Sequence, residues 1–369
     1  MSKQDLPSAN NIINSLNDGL YVCDRDRRIL YWSNSAERIT GWAAEDVVGH
    51  QCSDNILCHV DKDGRSLCGE DFCPLHRSMV TNTASTCPVI VFGQTKEGGR
   101  VPMVVSVSPV HDANGQVIGG VECFHDFSQT YADLKRAKRI QTLSLEHDLP
   151  KDSRVEFVTF YVPHDMIGGD YFSIRQLDAD HYGFFLADVM GHGVSAGMYT
   201  MHLSSLWDRH CHTLKQPAVF AETLNSGLCK IVKDESFATA VCGVLNAANK
   251  TVCFASAGSP PIALLHADGL SEQLDIPGVP FGLFEGAEYD EIEISCVSGD
   301  RLLMFTDGVI EIENADGKML NTDGLMEILG SLDYPRSDIK IESLQRALLN
   351  YSNKIRLDDD LTLVEIRFS

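Results

Sequence analysis

The strongest constraint on this chain is where aspartates fall in residues 151–369. Asp170 follows two glycines in GGDYF, Asp188 ends an apolar run before VMGHG, and Asp307 ends the apolar run of LLMFTDG. Asp358–Asp360 directly precede the apolar run LTLVEIRF. One Asp at a turn is ordinary loop chemistry, but four acidic sites at the ends of predicted strands can converge. The pattern therefore favours a β-rich core with acidic side chains along one edge.

Clustered carboxylates repel one another and raise each other's pKa unless cations neutralise them. Donor sets made only of oxygen select hard ions such as Mg²⁺ or Mn²⁺. A pair of such ions can polarise a phosphate and activate a water molecule for in-line attack. Glycines beside the aspartates let the backbone approach closely; they are Gly168, Gly169, Gly191, Gly193 and Gly308.

Charge and length limit the classes of protein that fit. The 369 residues carry 30 Lys+Arg and 52 Asp+Glu, a net charge of −22, which argues against a nucleic-acid or anionic-membrane binder. No apolar stretch approaches the ~18 residues of a membrane span, and the N-terminal residues lack a signal-peptide pattern. The sequence therefore predicts a cytoplasmic protein with no membrane or nucleic-acid partner.

The distribution of charge predicts two domains and a joint. Residues 1–130 carry 10 basic and 16 acidic side chains, and residues 151–369 carry 16 and 33, whereas 131–150 are nearly balanced. In this joint Tyr131, Leu134, Ala137 and Ile140 recur at helical spacing, which predicts a connecting helix. The C-terminal segment then alternates predicted strands with predicted helices, the helices spanning 195–214, 217–233 and 337–354.

The first segment reads as an α+β domain. Predicted strands at 19–24 and 28–33 are followed by short helical pieces, then by strands at 89–95, 101–110 and 116–127. The stretch DRDRRILYWSNSAERITGWAAEDVVGH resembles the opening of a PAS sensory domain. This resemblance covers residues 8–127 and implies an antiparallel sheet with short helices.

Six motifs of the last segment occur in the order of one enzyme family. They are GGDYF, ADVMGHGVSAGM, FATAVCGVL, ASAGSPP, GDRLLMFTDGVIE and DDLTLVEI. Together they resemble the PPM-type serine/threonine protein phosphatases of the SpoIIE/RsbU-like branch. The implied architecture is a PAS domain at 8–127 with a Cys-rich insert at 52–73, a helical linker at 128–150 and an αββα-sandwich phosphatase domain at 151–369.

The resemblance also implies a centre of two Mn²⁺ or Mg²⁺ ions. Asp188 would bridge the ions, the Val189 carbonyl would hold one, and Asp307 and Asp359 would complete the other. Asp170 would lie beside them, as a ligand or through metal-bound water. Asp360 would support these ligands, as would Gly169, Gly191, Gly193 and Gly308.

His192 has two interpretations. It can act as a general acid near the phosphate, or its ring can support the Gly191–Gly193 turn by hydrogen bonding, which is the commoner role of a lone histidine. No Ser or Cys lies in a nucleophile motif, which favours direct attack by water over a covalent phosphoenzyme.

Four cysteines, Cys52, Cys58, Cys68 and Cys73, lie within 22 residues. In a reducing compartment such thiols can hold Zn²⁺ or an iron–sulfur cluster. Their spacing contains no CxxC pair, so two alternatives stay open: buried structural thiols and a regulatory disulfide.

The predicted function is a sensory, metal-dependent phosphatase that removes phosphate from serine or threonine. The family resemblance implies an anti-anti-sigma (STAS) protein as substrate, hence sigma factor regulation, and a parallel homodimer joined through the linker. Two alternatives are a catalytically silent binding module with a phosphatase fold and a redox sensor that acts by binding a partner.

Overall fold

The structure is a computed structural model that describes residues 8–69, 72–85, 89–145, 148–231, 236–354 and 356–369. The chain divides into two units, residues 1–133 and 134–369, which are described separately below. Within the described ranges, no helix combines the length and the apolar character needed to cross a lipid bilayer.

The first unit is built on a five-stranded antiparallel sheet of order β2-β1-β5-β4-β3. Its strands are β1 (Gly19–Asp24), β2 (Ile29–Trp32), β3 (Val89–Gln94), β4 (Arg100–His111) and β5 (Val117–Asp126), and its helices are α1 (Ala9–Asn14), α2 (Asn34–Thr40), α3 (Ala44–Val47) and α4 (Pro74–Thr81). Alternate residues of β1, including Tyr21 and Cys23, are buried beside Trp32 and Phe124. One face of the sheet therefore carries the core, as its alternating pattern requires.

A long helix, α5 (Ser128–Leu145), crosses the boundary between the units. In the first unit its Tyr131 ring packs edge-on against Phe92, with ring centroids 5.2 Å apart. In the second unit Gln141 and Leu145 are buried. The connecting helix that the sequence predicts over 129–149 is thus described to Leu145, and residues 146–147 lie outside the described part.

The second unit contains two five-stranded antiparallel sheets, β13-β10-β9-β8-β7 and β12-β11-β14-β15-β6. The strands are β6 (Val155–Val162), β7 (Asp170–Gln176), β8 (His181–Val189), β9 (Ala238–Asn246), β10 (Thr251–Ala257), β11 (Ile262–Leu265), β12 (Ser271–Leu274), β13 (Glu291–Ser295), β14 (Arg301–Phe305) and β15 (Leu361–Phe368). Side chains of both sheets share one core, in which Phe157 of β6 meets Tyr182 of β8 at 5.4 Å between ring centroids.

Helices cover the outer face of each sheet. They are α6 (Val194–His210), α7 (Pro217–Cys229), α8 (Asn321–Ser331) and α9 (Ile341–Ser352). Trp207 of α6 stacks on Phe185 of β8, and Leu344 and Leu348 of α9 join the core under the second sheet. Because each sheet is buried on both faces, strands such as β8 are almost continuously apolar, and the unit is a four-layer αββα sandwich.

Several predicted elements differ from the observed ones. The GGDYF motif was expected at a turn, but strand β7 begins at Asp170 itself. The helix expected over 195–214 is α6 followed by a short 3₁₀ turn, Cys211–Thr213. The helix expected over 337–354 is the shorter α9. Of the helix expected over 217–233, the final residues 232–233 lie outside the described ranges.

Candidate active site

Strand pairing brings the acidic residues to one edge of the sandwich. Asp170 on β7 lies directly opposite Asp188 on β8. Asp307 follows β14, and Asp359 precedes β15 in the facing sheet. The Thr306 hydroxyl donates a hydrogen bond of 2.9 Å to Asp170 Oδ2, which ties the two sheets together at this edge.

The carboxyl groups are close enough to oppose one another's ionisation. Burial, then repulsion from Asp170 and Asp307, raises the pKa of Asp188 to about 11. Burial and repulsion from Asp360 hold the pKa of Asp170 well above its usual range. Burial also raises the pKa of Asp359, with a further contribution from Asp307. Ionising all of these clustered carboxyl groups is unfavourable in the folded protein unless cations neutralise their charge.

One buried oxygen in this cluster lacks a partner. Asp170 Oδ2 accepts hydrogen bonds from the hydroxyls of Thr306 and Thr362. Its Oδ1 is buried and has no hydrogen-bond partner among the described residues. Burying a carboxylate oxygen without a partner lowers the stability of the fold. Since further carboxylates lie nearby, this oxygen fits a site for hard divalent cations.

The Asp360 carboxylate differs from the neighbouring ones because both of its oxygens accept backbone hydrogen bonds. Its Oδ1 accepts the backbone N–H of His164 at 2.6 Å, and its Oδ2 accepts those of Gly169 at 2.5 Å and Asp170 at 3.2 Å. The carboxylate therefore fastens the loop before β7 to the start of β15. This geometry gives Asp360 a supporting position.

Two glycines permit the close packing of this edge. A Cβ on Gly169 would lie 2.8 Å from the Val189 carbonyl oxygen and 2.9 Å from that of Gly191. A Cβ on Gly308 would lie 2.1 Å from the Asp360 carbonyl oxygen. Any side chain at either position would displace the backbone beside the aspartates. The turn after β8 also uses Gly193, with φ of 82°.

The His192 ring contacts an acid outside its own turn. Its Nδ1 lies 2.6 Å from Asp165 Oδ2, and Arg356 donates to Asp165 Oδ1 at 3.1 Å. Ligand atoms of His164, Asp165 and His192 lie within 4.8 Å of one another. His192 thus pairs with Asp165, a contact that sequence reasoning missed, and its support of the Gly191–Gly193 turn stays a prediction.

A small cavity of about 110 Å³ opens beside the acidic edge. It is lined by Asp307, Gly308, Glu311, Ile312, Ser352, Lys354, Leu357, Asp358 and Asp359. Burial, then repulsion from Asp307 and Asp359, raises the pKa of Glu311. Asp358 is exposed and pairs with Lys354. Glu311 was missed, although its position four residues after Asp307 could have indicated it.

The linker helix reaches the loop that carries the acidic edge. Gln141 is buried; its Nε2 donates to the Gly168 carbonyl at 2.7 Å and to the Thr200 hydroxyl at 3.0 Å. The Gly168 N–H donates to Gln141 Oε1 at 3.1 Å. One side chain of α5 therefore fixes the backbone two residues before Asp170.

The cysteines predicted as a sensor site lie in the first unit. Cys52 and Cys73 are buried, and Cys58 and Cys68 are half-buried. They lie between the end of α3 and the start of α4.

Two family models match the chain. Residues 13–132 match the PAS fold, and residues 178–369 match the family described as Stage II sporulation protein E (SpoIIE). The sandwich and its acidic edge thus define a PP2C-like phosphatase fold. Because the second match spans just over half of the 369 residues, the chain belongs to the SpoIIE family.

Curated relatives from Bacillus subtilis (strain 168) agree with this assignment. The chain is 28% identical over 186 residues to phosphoserine phosphatase RsbP, covering 49% of this chain and 46% of RsbP. It is 22% identical over 237 residues to phosphoserine phosphatase RsbU, covering 64% of this chain and 70% of RsbU. The chain thus spans less than half of the first relative.

Solved structures support the same fold. The SiaA PP2C domain of Pseudomonas aeruginosa aligns with a TM-score of 0.55 at 20% identity, covering 65% of this chain and 97% of that one. The RsbU and RsbW domains of a Mycobacterium tuberculosis protein align with a TM-score of 0.52 at 21% identity, covering 60% and 63%. The predicted combination of a PAS domain and a PPM-type phosphatase fold is confirmed.

Proposed function

We propose that the chain is a PAS-regulated protein phosphatase that hydrolyses phosphoserine or phosphothreonine with divalent cations. The observation that carries this proposal is the acidic edge, where the charges of Asp170, Asp307 and Asp359 act on Asp188 and where Asp170 Oδ1 is buried without a partner among the described residues. The similarity to RsbP and RsbU, both named phosphoserine phosphatases, supports the same reaction.

The oxygen donors fit two Mn²⁺ or Mg²⁺ ions. Asp188, the Val189 carbonyl, Asp307 and Asp359 would hold them, with Asp170 beside them. When bound, such ions polarise a phosphate ester and lower the pKa of a water molecule. Asp360 and Gly169 keep these donors in place through the backbone contacts described above.

The protein's own residues supply positioning and a proton. Asp165 holds the His192 ring through Nδ1, which leaves Nε2 to carry the proton that the leaving serine oxygen needs. Arg356, which also contacts Asp165, contributes positive charge to an otherwise acidic region. His192 is thereby proposed as the general acid.

We propose an anti-anti-sigma (STAS) phosphoprotein as the substrate, with release of a sigma factor as the consequence. The proposal rests on the resemblance to the SpoIIE/RsbU-like branch.

The proposed domains are a PAS sensor at 8–127, a linker at 128–150 and a catalytic domain at 151–369. Exposed Ile140 and Leu143, three residues apart on α5, support a homodimer that pairs through this helix.

The test is a metal-dependent phosphatase assay on the full chain. With Mn²⁺ or Mg²⁺ it should hydrolyse a generic phosphoester and dephosphorylate a phosphoserine STAS protein, and excess EDTA should stop both reactions. A silent binding module would instead bind the phosphoprotein without turnover in either metal. That result would overturn the enzymatic proposal.

The contact from the linker helix gives a separate prediction. We expect Gln141→Ala to raise the Mn²⁺ concentration needed for half-maximal turnover by about tenfold, because an unsatisfied buried backbone group costs about 1–3 kcal/mol. The loosened Gly168 backbone directly precedes Gly169 and Asp170. Manganese titrations of phosphatase activity measure this shift.

A matched control comes from the same helix. Gln129 is exposed and bonds only to Asp133 among the described contacts of its side chain. Gln129→Ala should leave the titration unchanged. Equal titrations for Gln141→Ala and wild type would show that α5 does not act on the acidic edge through this side chain.

A further inference from the structure

The first unit buries two polar side chains that its own contacts leave unsatisfied. His59 is 6% exposed and Glu122 is 1% exposed. His59 Nε2 lies 3.7 Å from Glu122 Oε1, beyond hydrogen-bonding distance. Neither atom has a hydrogen-bond partner among the described residues. Since burying a polar atom without a hydrogen-bond partner is costly, their presence points to a ligand.

A short hairpin places two cysteines next to His59. Val60 pairs with Ser66 in an antiparallel bridge, and the Leu67 N–H donates to the His59 carbonyl at 2.8 Å. Cys68 directly follows Leu67 on this hairpin, and Cys58, with a φ of 38°, directly precedes His59. Cys68 Sγ lies 4.0 Å from the His59 carbonyl oxygen.

The other two cysteines approach the same region from separate segments. Cys52 and Cys73 are each 7% exposed. Both side chains belong to the buried core of the first unit, against which Leu67, the neighbour of Cys68, also packs. The Cys52 N–H donates to the Arg27 carbonyl at 3.4 Å.

Two arginines border the thiols. Arg27 donates to the carbonyl of Gly69, the residue after Cys68, at 3.0 Å. Arg100 donates to the carbonyl groups of Cys58 and Phe92. Their positive charge would offset the negative charge of several thiolates held together.

We propose that Cys52, Cys58, Cys68 and Cys73 bind a thiolate-ligated metal centre, an iron–sulfur cluster or a zinc ion, oriented by His59 and Glu122. Four cysteine sulfurs are the donor set of both centres. Buried N–H and carboxyl groups around metal ligands fix their orientation and tune the metal. This site is separate from the acidic edge and independent of the proposed phosphatase reaction.

The spacing of the sulfurs discriminates between the two centres. Sulfurs of a tetrahedral zinc site lie roughly 3.8 Å apart, given Zn–S bonds of about 2.3 Å. Within the described part of the chain, no three of these sulfurs lie within 4.8 Å of one another. A cluster separates its ligands by several iron and sulfide atoms, so it tolerates a wider spacing of the sulfurs than one ion does.

The experiment is elemental analysis of the full chain purified without oxygen, with visible absorption and acid-labile sulfide measured in parallel. Iron with equimolar sulfide, at about two or four atoms per chain, supports a cluster. Zinc at about one atom per chain supports the mononuclear centre. Absence of stoichiometric metal, both as purified and after reconstitution with Zn²⁺ or with iron and sulfide, overturns the site.

Variants separate a ligand role from a structural one. Cys58→Ser and Cys68→Ser should each lower the metal content at least about tenfold, with circular dichroism used to verify folding. Cys123→Ser is the matched control, because Cys123 lies on β5 outside the four-cysteine group and should retain the metal. Folded Cys58→Ser and Cys68→Ser proteins with full metal content would also overturn the proposal.

Discussion

Replacing Asp188 by asparagine is expected to lower manganese-dependent turnover by at least about 10³-fold, while making the metal-free protein more stable. Contacts around a metal are each worth about 10–100-fold, and Asp188 is proposed to serve both ions. The carboxyl group of Asp188 is close enough to those of Asp170 and Asp307 for their charges to repel its own. Asparagine keeps the shape, removes the repulsion and cannot neutralise a cation.

Two measurements on Asp188→Asn have opposite expected signs. Phosphatase activity in saturating Mn²⁺ should fall, and the melting temperature in EDTA should rise by several degrees, because about 1 kcal/mol corresponds to about 2–4 °C in a domain of this size. Added Mn²⁺ should stabilise the wild type far more than the variant, because a ligand of the folded state alone shifts unfolding by mass action.

The control is Asp358→Asn, at the position directly before the proposed ligand Asp359. Asp358 has a side chain 74% exposed and pairs with Lys354, so its loss should change neither activity nor melting temperature appreciably. If Asp188→Asn turns over substrate in Mn²⁺ as fast as the wild type, Asp188 is not a metal ligand. The proposed reaction would then lose its basis.

The acidic edge could be predicted because each of its residues has a local signal. Asp188 and Asp307 follow apolar runs, and Asp359 precedes one, so the strand ends are visible in the sequence. Strands β14 and β15 lie where the apolar runs of LLMFTDG and LTLVEIRF place them, because the first run stops at Thr306 and the second begins after Asp360. Because each carboxylate lies at the end of an apolar run, its position relative to the strand can be predicted to within one residue.

The supporting contacts had no such signal, because they join distant positions. Arg356 reaches Asp165 across 191 residues, and Thr306 reaches Asp170 across 136. Only the pairing of sheets brings them together. The sequence predicts that Gln141 lies on a helix, but it does not predict that the Gln141 side chain contacts Gly168.

The missed elements are those with weak patterns. Strand β12, SEQL, lies at a sheet edge and is mostly exposed, so it has no apolar run. Helix α8 contains Gly324 and Gly330, which lower helical propensity. Strand β13, EIEIS, alternates between Glu and Ile at an edge of the other sheet, and a period of two could have identified it.

The second large effect is expected from Asp360→Ala. This variant leaves without an acceptor the buried backbone N–H groups of Gly169 and Asp170 and the half-buried one of His164. At about 1–3 kcal/mol for each of the two buried groups, the free energy of unfolding should fall by roughly 2–6 kcal/mol. Activity should fall about 100-fold, because the loop that positions Asp170 loses its attachment to β15.

Denaturant unfolding in EDTA distinguishes Asp360 from the proposed ligands. Loss of a metal ligand, as in Asp188→Asn, relieves repulsion and stabilises the metal-free protein, whereas loss of Asp360 destabilises it. Asp358→Ala controls for the change of backbone propensity at this end of β15. If Asp360→Ala keeps its stability in EDTA but no longer gains stability from Mn²⁺, Asp360 is itself a ligand. The supporting role would then pass to Asp359, whose Oδ1 accepts the Asp360 N–H at 2.8 Å.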